Sequence, residues 1–540
     1  MRKLKIVSSL FFASVLLFTS CKTLRQPKSV PQPLNYSDDD IVASEIKRID
    51  EFLENEPLRA LWRAVLLGNQ EVIDKCRSAV EEKLAASIEE KNYLDAKKYY
   101  KSLSTLFASY KYEGITASEI DKLITADVPG IGSKKAKTPS KISECMDATV
   151  TVWVDRGVKV RNGAGYADII IGSGFFIDER GYIVTNHHVI DSMVNSEYEG
   201  YSRLYIKLLG DNSTKIPAKV IGYDSALDLA LLKTEVTPKC ILNLGESHTL
   251  DIGDKISVIG TPVGLEGTLT SGIISSKDRP LLALGPVFQI DAAVNSGNSG
   301  GPLIDQHMNV QAIIFAGMLQ NQGLNFAIPV EYLKQELSFL YGRGEVIHSW
   351  VGCFGDTKRK GNEKAGLEVQ YVLSGGSAFM AGLREGDVIT MLDGKRITSV
   401  EDFNYIVMGY ESETILECRY LDSHEQEKTC FLYLEKRPEN PGITVFDSDL
   451  IETSFIPLIG MKIIPSSTTN KNSYTIGKVI GGSTADDMHF SEGDEITVNG
   501  VTVDQKNGYI YIQMYTKRKK KAFIDMAIGL SAPLDSSMYF

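Results

Sequence analysis

The sequence predicts a multidomain protein that is mainly β, with an α-helical domain ahead of the β-rich part. Its 540 residues correspond to about three to four domains of ordinary size. Residues 41–127 contain few Gly and Pro and many Ala, Glu, Lys and Leu, which is typical of helices. From residue 142 onward, short β-rich runs alternate with Gly and Asp, which indicates an antiparallel barrel or sandwich.

Composition and charge exclude several classes of protein. The chain is 43% hydrophobic and 24% charged, which argues against disordered, fibrous and polytopic membrane proteins. The net charge of −11 argues against nucleic acid as the main partner. Seven cysteines without a Cys-x-x-Cys pair fit neither a disulfide scaffold nor a structural zinc site. We therefore expect no metal and no cofactor.

The first 20 residues are typical of an export signal. A basic start precedes an apolar run over residues 6–18, which is shorter than the roughly 20 residues that span a hydrocarbon layer. The run leads to Cys21 in a segment that resembles a bacterial lipobox, although Phe18 stands where Leu is usual. We predict a signal peptide over 1–20, a lipid on Cys21 and a tether over 21–40. This predicts a membrane-anchored lipoprotein on the periplasmic side of the cell envelope. The alternative is a soluble secreted protein with a chance cysteine.

Changes in composition mark the domain boundaries. A segment rich in Gly, Lys and Pro follows the helical residues and indicates a linker. The predicted domains are a helical domain over 41–127, a linker over 128–145, a β-rich domain over 146–341 and two smaller modules over 345–437 and 450–535.

The sharpest chemical signal is the string GNSGGP at residues 297–302. A serine hydroxyl is a poor nucleophile unless a base takes its proton and hydrogen-bond donors stabilise the oxyanion that forms. Flanking glycines allow a tight turn that directs N–H groups at that oxyanion. The alternative is a glycine-rich hairpin in which Ser299 only caps a turn.

A base and an orienting carboxylate are available elsewhere in the chain. Two adjacent histidines, His187 and His188, follow a predicted strand, and histidine is the usual general base near neutral pH. Asp228 lies in the apolar run 226–233, so its carboxylate needs a partner such as an imidazole N–H. Each residue alone could be an ordinary surface histidine or a strand-ending aspartate. Together with Ser299 they follow the order His, Asp, Ser of one known class of catalytic triad.

Four segments resemble the HtrA/DegP family of trypsin-fold serine proteases. They are GSGFFIDERGYIVTNHHV (172–189), ALDLALLK (226–233), DAAVNSGNSGGPL (291–303) and GLNFAIP (323–329). The resemblance covers about residues 148–340. It implies a chymotrypsin-like double β-barrel followed by PDZ domains.

The resemblance also implies a role for each matching residue. The family's base directly precedes Val, which assigns that role to His188 and leaves its neighbour as the alternative. Asp228 would orient the imidazole, and Ser299 would be the nucleophile. The oxyanion hole is expected at Gly297, Asn298 and Ser299, with the amides of the first and last as donors.

The substrate pocket is expected around Ala293, Asn325 and Phe326. The floor of the first specificity pocket in trypsin-like folds lies six residues before the nucleophile, which is Ala293 in this chain. Ala293 cannot select Lys or Arg by charge, so we expect cleavage after small or medium aliphatic residues. Two residues depart from the family pattern: Ser296, at a position that is often Pro, and Asn325, at a position that is usually Gly.

Two C-terminal stretches, 366–398 and 479–500, resemble PDZ domains of the HtrA type. A PDZ domain adds a peptide as an extra strand and holds its terminal carboxylate with backbone amides. By position, that loop is expected at Trp350, Val351, Gly352 and Cys353 in the first module, and at 458–461 in the second. The alternative for each module is that it only packs on the protease.

Two smaller features leave their interpretation open. Cys418 and Cys430 lie in two strand-like runs around a polar turn, so a cross-strand disulfide is conceivable in an exported protein. The basic run Lys517 to Lys521 is more typical of a solvated loop than of a contact with anionic lipid.

The sequence as a whole predicts an envelope protease that degrades unfolded or damaged proteins and is regulated by peptide C-termini at its PDZ domains. A homo-oligomer is expected because members of this family assemble in that way. Two alternatives remain. One is a PDZ-based chaperone or sensor in which proteolysis is minor, and the other is a processing protease dedicated to one partner.

Overall fold

The structure, a computed structural model, describes residues 38–131, 137–161, 163–211, 213–261, 267–295, 297–317, 324–467, 472–519 and 523–540. The predicted signal peptide, Cys21 and most of the tether lie outside these residues. Within the described ranges, no helix is both long and apolar enough to cross a membrane. The chain forms two compact units. One contains Pro438–Asp535, and the other contains the described residues up to Arg437 together with Ser536–Phe540.

Five helices begin the larger unit, where the composition predicted them. A capping box of Thr116 and Glu119 opens the fifth helix, and Gly68 ends the second with a φ of 73°. Their apolar faces enclose a core around Trp62 and Leu84. The helices are α1 (Asp39–Leu53), α2 (Pro57–Leu67), α3 (Gln70–Glu89), α4 (Tyr93–Leu106) and α5 (Ala117–Ala126).

Two closed β-barrels follow the helices and confirm the predicted double-barrel fold. Their elements are α6 (Ile142–Asp147), β1 (Thr149–Arg161), β2 (Ala164–Asp178), β3 (Tyr182–Thr185), α7 (His187–Val194), β4 (Arg203–Leu208), β5 (Ile216–Asp224), β6 (Leu229–Thr234), β7 (Lys255–Gly260), β8 (Thr268–Leu282), β9 (Gly285–Ile290), β10 (Pro302–Ile304), β11 (Val310–Gly317), β12 (Asn325–Pro329) and the closing helix α8 (Val330–Arg343). The first barrel has the order β1-β2-β3-β6-β5-β4, and the second has the order β10-β11-β12-β9-β8-β7.

Alternating apolar residues fill the barrels. On β1, Val150, Val152 and Val154 are fully buried in the first barrel, as the period of two in a strand requires. A further core joins side chains of both barrels, among them Phe175 and Ile313. The loops that carry the candidate triad are therefore anchored on a packed scaffold.

The first C-terminal module is an α+β domain of the PDZ type. Its elements are β13 (Ser349–Trp350), β14 (Cys353–Lys360), β15 (Glu363–Val372), α9 (Ser377–Met380), β16 (Val388–Leu392), β17 (Lys395–Arg396), α10 (Val400–Met408), β18 (Ile415–Leu421), β19 (Glu427–Tyr433) and β20 (Glu435–Lys436). The main sheet has the order β14-β15-β16-β18-β19, so β14 lies at its edge.

The second module forms the smaller unit and has its own core around Phe455, Tyr474 and Phe490. Its five strands pair in chain order. The elements are α11 (Pro441–Ser448), α12 (Ile451–Ile459), β21 (Met461–Pro465), β22 (Ser473–Val479), α13 (Thr484–Asp487), β23 (Glu495–Asp504), β24 (Tyr509–Lys519) and β25 (Phe523–Pro533).

The helical region packs on the first PDZ module, a partner that the sequence left open. The Trp62 indole N–H donates to the Phe431 carbonyl at 2.7 Å, and its ring stacks on Tyr433 at 5.5 Å between centroids. At the start of β18, the Ile415 amide donates to the Ser102 hydroxyl at 3.0 Å. These buried contacts join the two regions within the larger unit.

Cys418 and Cys430 face each other across β18 and β19 as free, buried thiols. The hydrogen bond with Cys430 and burial together raise the pKa of the Cys418 thiol. The register of the two strands places the two residues directly opposite each other.

Candidate active site

His188 and Asp228 form the first half of the candidate triad. His188 lies in the first turn of α7, directly after β3, and Asp228 lies in the turn between β5 and β6. The His188 Nδ1 and Asp228 Oδ2 atoms are 2.7 Å apart, and the His188 amide donates to Asp228 Oδ1 at 2.8 Å. Because the carboxylate engages Nδ1, the imidazole is oriented with Nε2 free to accept a proton.

The turn that carries Asp228 is held in an unusual conformation. Asp228 has a φ of 55°, which is costly for a residue other than glycine and is found mainly at functional sites. Its carbonyl accepts a hydrogen bond from the Asn186 side chain at 2.8 Å. The Asp224 carboxylate accepts the amides of Ala226 and Leu227 at 2.9 and 3.0 Å. These bonds to the backbone fix the position of the orienting carboxylate.

The geometry supports His188 over the neighbouring histidine as the base. His187 stacks on the Tyr223 ring at 5.2 Å, with 21° between the two planes. Its side chain is 15% exposed, whereas that of His188 is 47% exposed. His187 is therefore engaged in packing, while His188 is accessible and paired with Asp228.

The loop that carries Ser299 is fixed by Ser173 on β2. The Ser173 hydroxyl donates to the Gly297 carbonyl at 2.6 Å, and the Ser173 amide donates to the Ser299 carbonyl at 2.7 Å. Gly300 has a φ of 82°, and a Cβ there would lie 2.2 Å from the Ser173 carbonyl oxygen. Only glycine fits at that position. Sequence reasoning missed Ser173, whose one signal is a polar residue within the β2 run.

The main-chain amides of this loop separate into two groups. Those of Asn298, Gly300 and Gly301 donate to main-chain oxygens at 2.7–3.0 Å. Those of Gly297 and Ser299 donate to no acceptor among the residues that the structure describes. The Asn298 amide is thus already engaged, so the geometry favours Gly297 and Ser299 as the oxyanion donors.

The Ser299 hydroxyl has a main-chain acceptor on β11. Its Oγ donates to the Phe315 carbonyl on β11 at 3.5 Å, a long bond. Between the described residues, no hydrogen bond joins Ser299 to His188.

Comparison with known proteins identifies the family. The chain is 31% identical over 345 residues to a probable periplasmic serine endoprotease, DegP-like, from a Marinomonas species, and the match covers 61% of this chain and 70% of that relative. The chain belongs to the HtrA/DegP family of trypsin-like serine proteases. A relative of the same description from Hahella chejuensis is 35% identical, over 44% of this chain and 51% of that protein.

Family models match three parts of the chain. A trypsin-like peptidase domain matches residues 172–313, a TP0546 family PDZ domain matches residues 442–534, and a domain of unknown function matches residues 40–124. Among solved structures, the HtrA-type protease AlgW with decapeptide matches with a TM-score of 0.45 and 25% identity, over 55% of this chain and 98% of that chain.

The expected substrate pocket of this HtrA/DegP-family chain lies beside the Ser299 loop. Ala293 is exposed, and its carbonyl accepts the Thr270 hydroxyl at 2.9 Å. The Asn325 side chain is buried and donates to the Ala292 carbonyl at 2.7 Å, which links the start of β12 to the loop between β9 and the nucleophile. Phe326 is buried on β12. Ser296 lies outside the described residues.

The predicted peptide-binding loop of the first PDZ module turns at Gly352. This glycine has a φ of 78°, and its carbonyl accepts the Leu373 amide at 2.7 Å. Trp350 and Val351 are buried just before the turn, and Cys353 begins the edge strand β14. In the second module, the residues at 458–461 span the end of α12, Gly460 with a φ of 80°, and the start of β21.

A buried acidic cluster lies behind the Asp228 turn, and the sequence did not predict it. Asp224, Glu336 and His348 bring their ligand atoms within 4.8 Å of one another. His348 Nε2 is 2.8 Å from Asp224 Oδ2. Both Glu336 carboxylate oxygens are buried and have no hydrogen-bond partner among the residues that the structure describes. Burial, followed by the charge of Asp224, raises the pKa of Glu336 well above its usual range.

The raised pKa of Glu336 predicts that the stability of the fold depends on pH. At low pH the side chain is neutral in both the folded and the unfolded state. As the pH rises, the unfolded state releases the proton, whereas the folded state must bury a charge or retain the proton, so the free energy of unfolding falls. Glu336→Gln should raise the melting temperature at pH 8 by about 2–4 °C, on the scale of about 1 kcal/mol for a domain of this size, and by less at pH 5. Calorimetry at both pH values measures the difference. Glu235→Gln, at a side chain that is 98% exposed, is the control. A change in melting temperature that is the same at both pH values would contradict this account.

Proposed function

We propose that this chain is a serine endopeptidase of the cell envelope that hydrolyses unfolded or damaged polypeptides through His188, Asp228 and Ser299. The observation that carries the proposal is the His188–Asp228 pair, held at 2.7 Å next to a loop that presents Ser299. The periplasmic names of the relatives support the location.

The geometry supports acyl-enzyme chemistry. With Ser299 Oγ hydrogen-bonded to His188, Nε2 takes the proton from Oγ as Oγ bonds to the peptide carbonyl carbon. The Gly297 and Ser299 amides stabilise the oxyanion, and Asp228 stabilises the imidazolium. The C–N bond then breaks and the amine leaves with the proton from His188. Water, activated by the same histidine, hydrolyses the ester and restores the serine.

The orientation of Ser299 toward Phe315 supports control of activity by loop arrangement. A peptide at a PDZ module would favour the arrangement in which the serine faces His188, because a ligand shifts an equilibrium toward the state that it binds better. The predicted lipid on Cys21 would hold the enzyme at a membrane, and assembly into a homo-oligomer would concentrate active sites. Mass spectrometry of the mature N-terminus and sedimentation velocity test these two points.

Digestion of a reduced and alkylated protein tests the proposal. We expect cuts mainly after small or medium aliphatic residues, because Ala293 supplies no charge for Lys or Arg. The sites are read by mass spectrometry. Ala293→Asp is the matched variant and should move cleavage toward Lys and Arg.

Two outcomes would contradict this assignment. Cuts after Lys and Arg by the unaltered enzyme would show that the pocket is assigned wrongly. Binding of the unfolded protein without any cleavage would favour the chaperone or sensor alternative.

A further inference from the structure

Residues Ser536–Phe540, called here the docked segment, lie along the edge strand of the first PDZ module. The Cys353 amide donates to the Phe540 main-chain oxygen at 2.9 Å, and the Phe540 amide donates to the Cys353 carbonyl at 2.9 Å. The Gly355 amide donates to the Met538 carbonyl at 3.0 Å. The segment thus runs antiparallel to β14 as an added strand, which is how PDZ domains hold peptides.

Two aromatic side chains of the docked segment are buried in the module. Phe540 is 2% exposed, belongs to the core of the module and meets the Phe403 ring edge-on at 4.8 Å between centroids. Tyr539 is also 2% exposed and packs edge-on against Phe354 at 5.2 Å. Edge-to-face aromatic pairs at these separations are favourable beyond simple burial. The groove between β14 and α10 is therefore filled.

Side chains at the rim of the groove bind the backbone of the same segment. The Asn404 side chain on α10 donates to the Ser537 carbonyl at 2.9 Å. Arg437, just after β20, places Nη2 3.5 Å from the Ser536 carbonyl. The contacts therefore extend over all five residues, in main chain and side chain.

We propose that the first PDZ module carries its own ligand: the docked segment occupies the peptide groove, and a free C-terminal peptide binds only by displacing it. The proposal rests on the peptide-binding role assigned to this module and deepens it. A ligand on the same chain competes at an effective concentration that can reach the millimolar range. The apparent affinity for free peptides equals the intrinsic affinity multiplied by the fraction of time for which the groove is open.

A binding titration tests the displacement. The probe is a fluorescein-labelled synthetic peptide with the sequence PLDSSMYF of residues 533–540, titrated with full-length protein that carries Ser299→Ala to prevent cleavage. In this background, Tyr539→Ala with Phe540→Ala should tighten binding of the probe by about 10-fold or more, because the competitor is weakened. Tyr509→Ala, at an aromatic residue that is 43% exposed in the second module, should leave it unchanged.

Hydrogen exchange gives a second readout that does not depend on the probe. The Cys353 and Gly355 amides should exchange slowly in the chain with the native segment and faster in the double variant. Equal probe affinity in the two chains, or no binding to either, would overturn the proposal. Equally fast exchange of both amides in the two chains would also overturn it. Both measurements use a chain that cannot cleave, so their failure would leave the proposed protease activity untouched, and failure of proteolysis would leave this proposal untouched.

Discussion

Ser299→Ala lowers kcat/KM for an unfolded protein by about 10⁴–10⁶-fold, the loss expected when a triad nucleophile is removed. The alanine keeps the backbone turn, because the bonds from Ser173 reach the Gly297 and Ser299 carbonyls rather than the hydroxyl. The loss should therefore fall on catalysis and leave folding intact. Rates with a fluorogenic unfolded substrate, measured beside melting curves, separate the two effects.

A second serine provides the matched control for that result. Ser271 lies exposed on β8, and Ser271→Ala should leave both the rate and the melting temperature unchanged. If Ser299→Ala retained more than about a tenth of the activity, the assignment of the nucleophile would be wrong, since triad replacements cost far more than that.

His188→Ala should reduce kcat/KM by about 10⁴–10⁶-fold, and His187→Ala should change it far less. The two histidines are neighbours on one turn of α7. Comparing the two variants therefore distinguishes loss of the catalytic base from a general disturbance of this turn. His188 accounts for the contact with Asp228, whereas His187 stacks on Tyr223. Loss of the stacking in His187→Ala should lower the melting temperature while the rate changes little.

Activity assays of the two variants side by side give the check. If His187→Ala abolished activity and His188→Ala did not, the two roles would be exchanged and the geometry of the site would be misread.

Local patterns predicted the fold class, which the structure confirms, and supplied the residues of the candidate triad. Each triad residue lies in a short pattern that can be recognised from a few neighbouring residues. The patterns are the GNSGGP string, the His188–Val189 pair and the apolar run around Asp228. Alternation on β1 and the scarcity of Gly and Pro over residues 41–127 likewise predicted barrels and helices. The family resemblance also chose between the two histidines, and the structure supplied the physical reason.

Contacts between distant residues could not be predicted in this way. Ser173 supports Ser299 across more than one hundred residues, and Glu336 and His348 meet Asp224 only because the barrel brings them together. The docked segment reaches the first PDZ module although the second module precedes it in the chain. The spacing of residues within a short sequence segment does not indicate contacts of this kind. The orientation of Ser299 toward Phe315 is likewise a rotamer, which the sequence does not encode locally.

Covalent labelling with a fluorophosphonate tests the central claim most directly. The reagent is attacked by an activated serine Oγ, which displaces fluoride and leaves a phosphonyl group on the oxygen. Peptide mapping of the full-length protein should find the adduct on Ser299, and labelling should be lost in His188→Ala and retained in His187→Ala. Labelling at another serine, or labelling of Ser299 that does not depend on His188, would contradict the account.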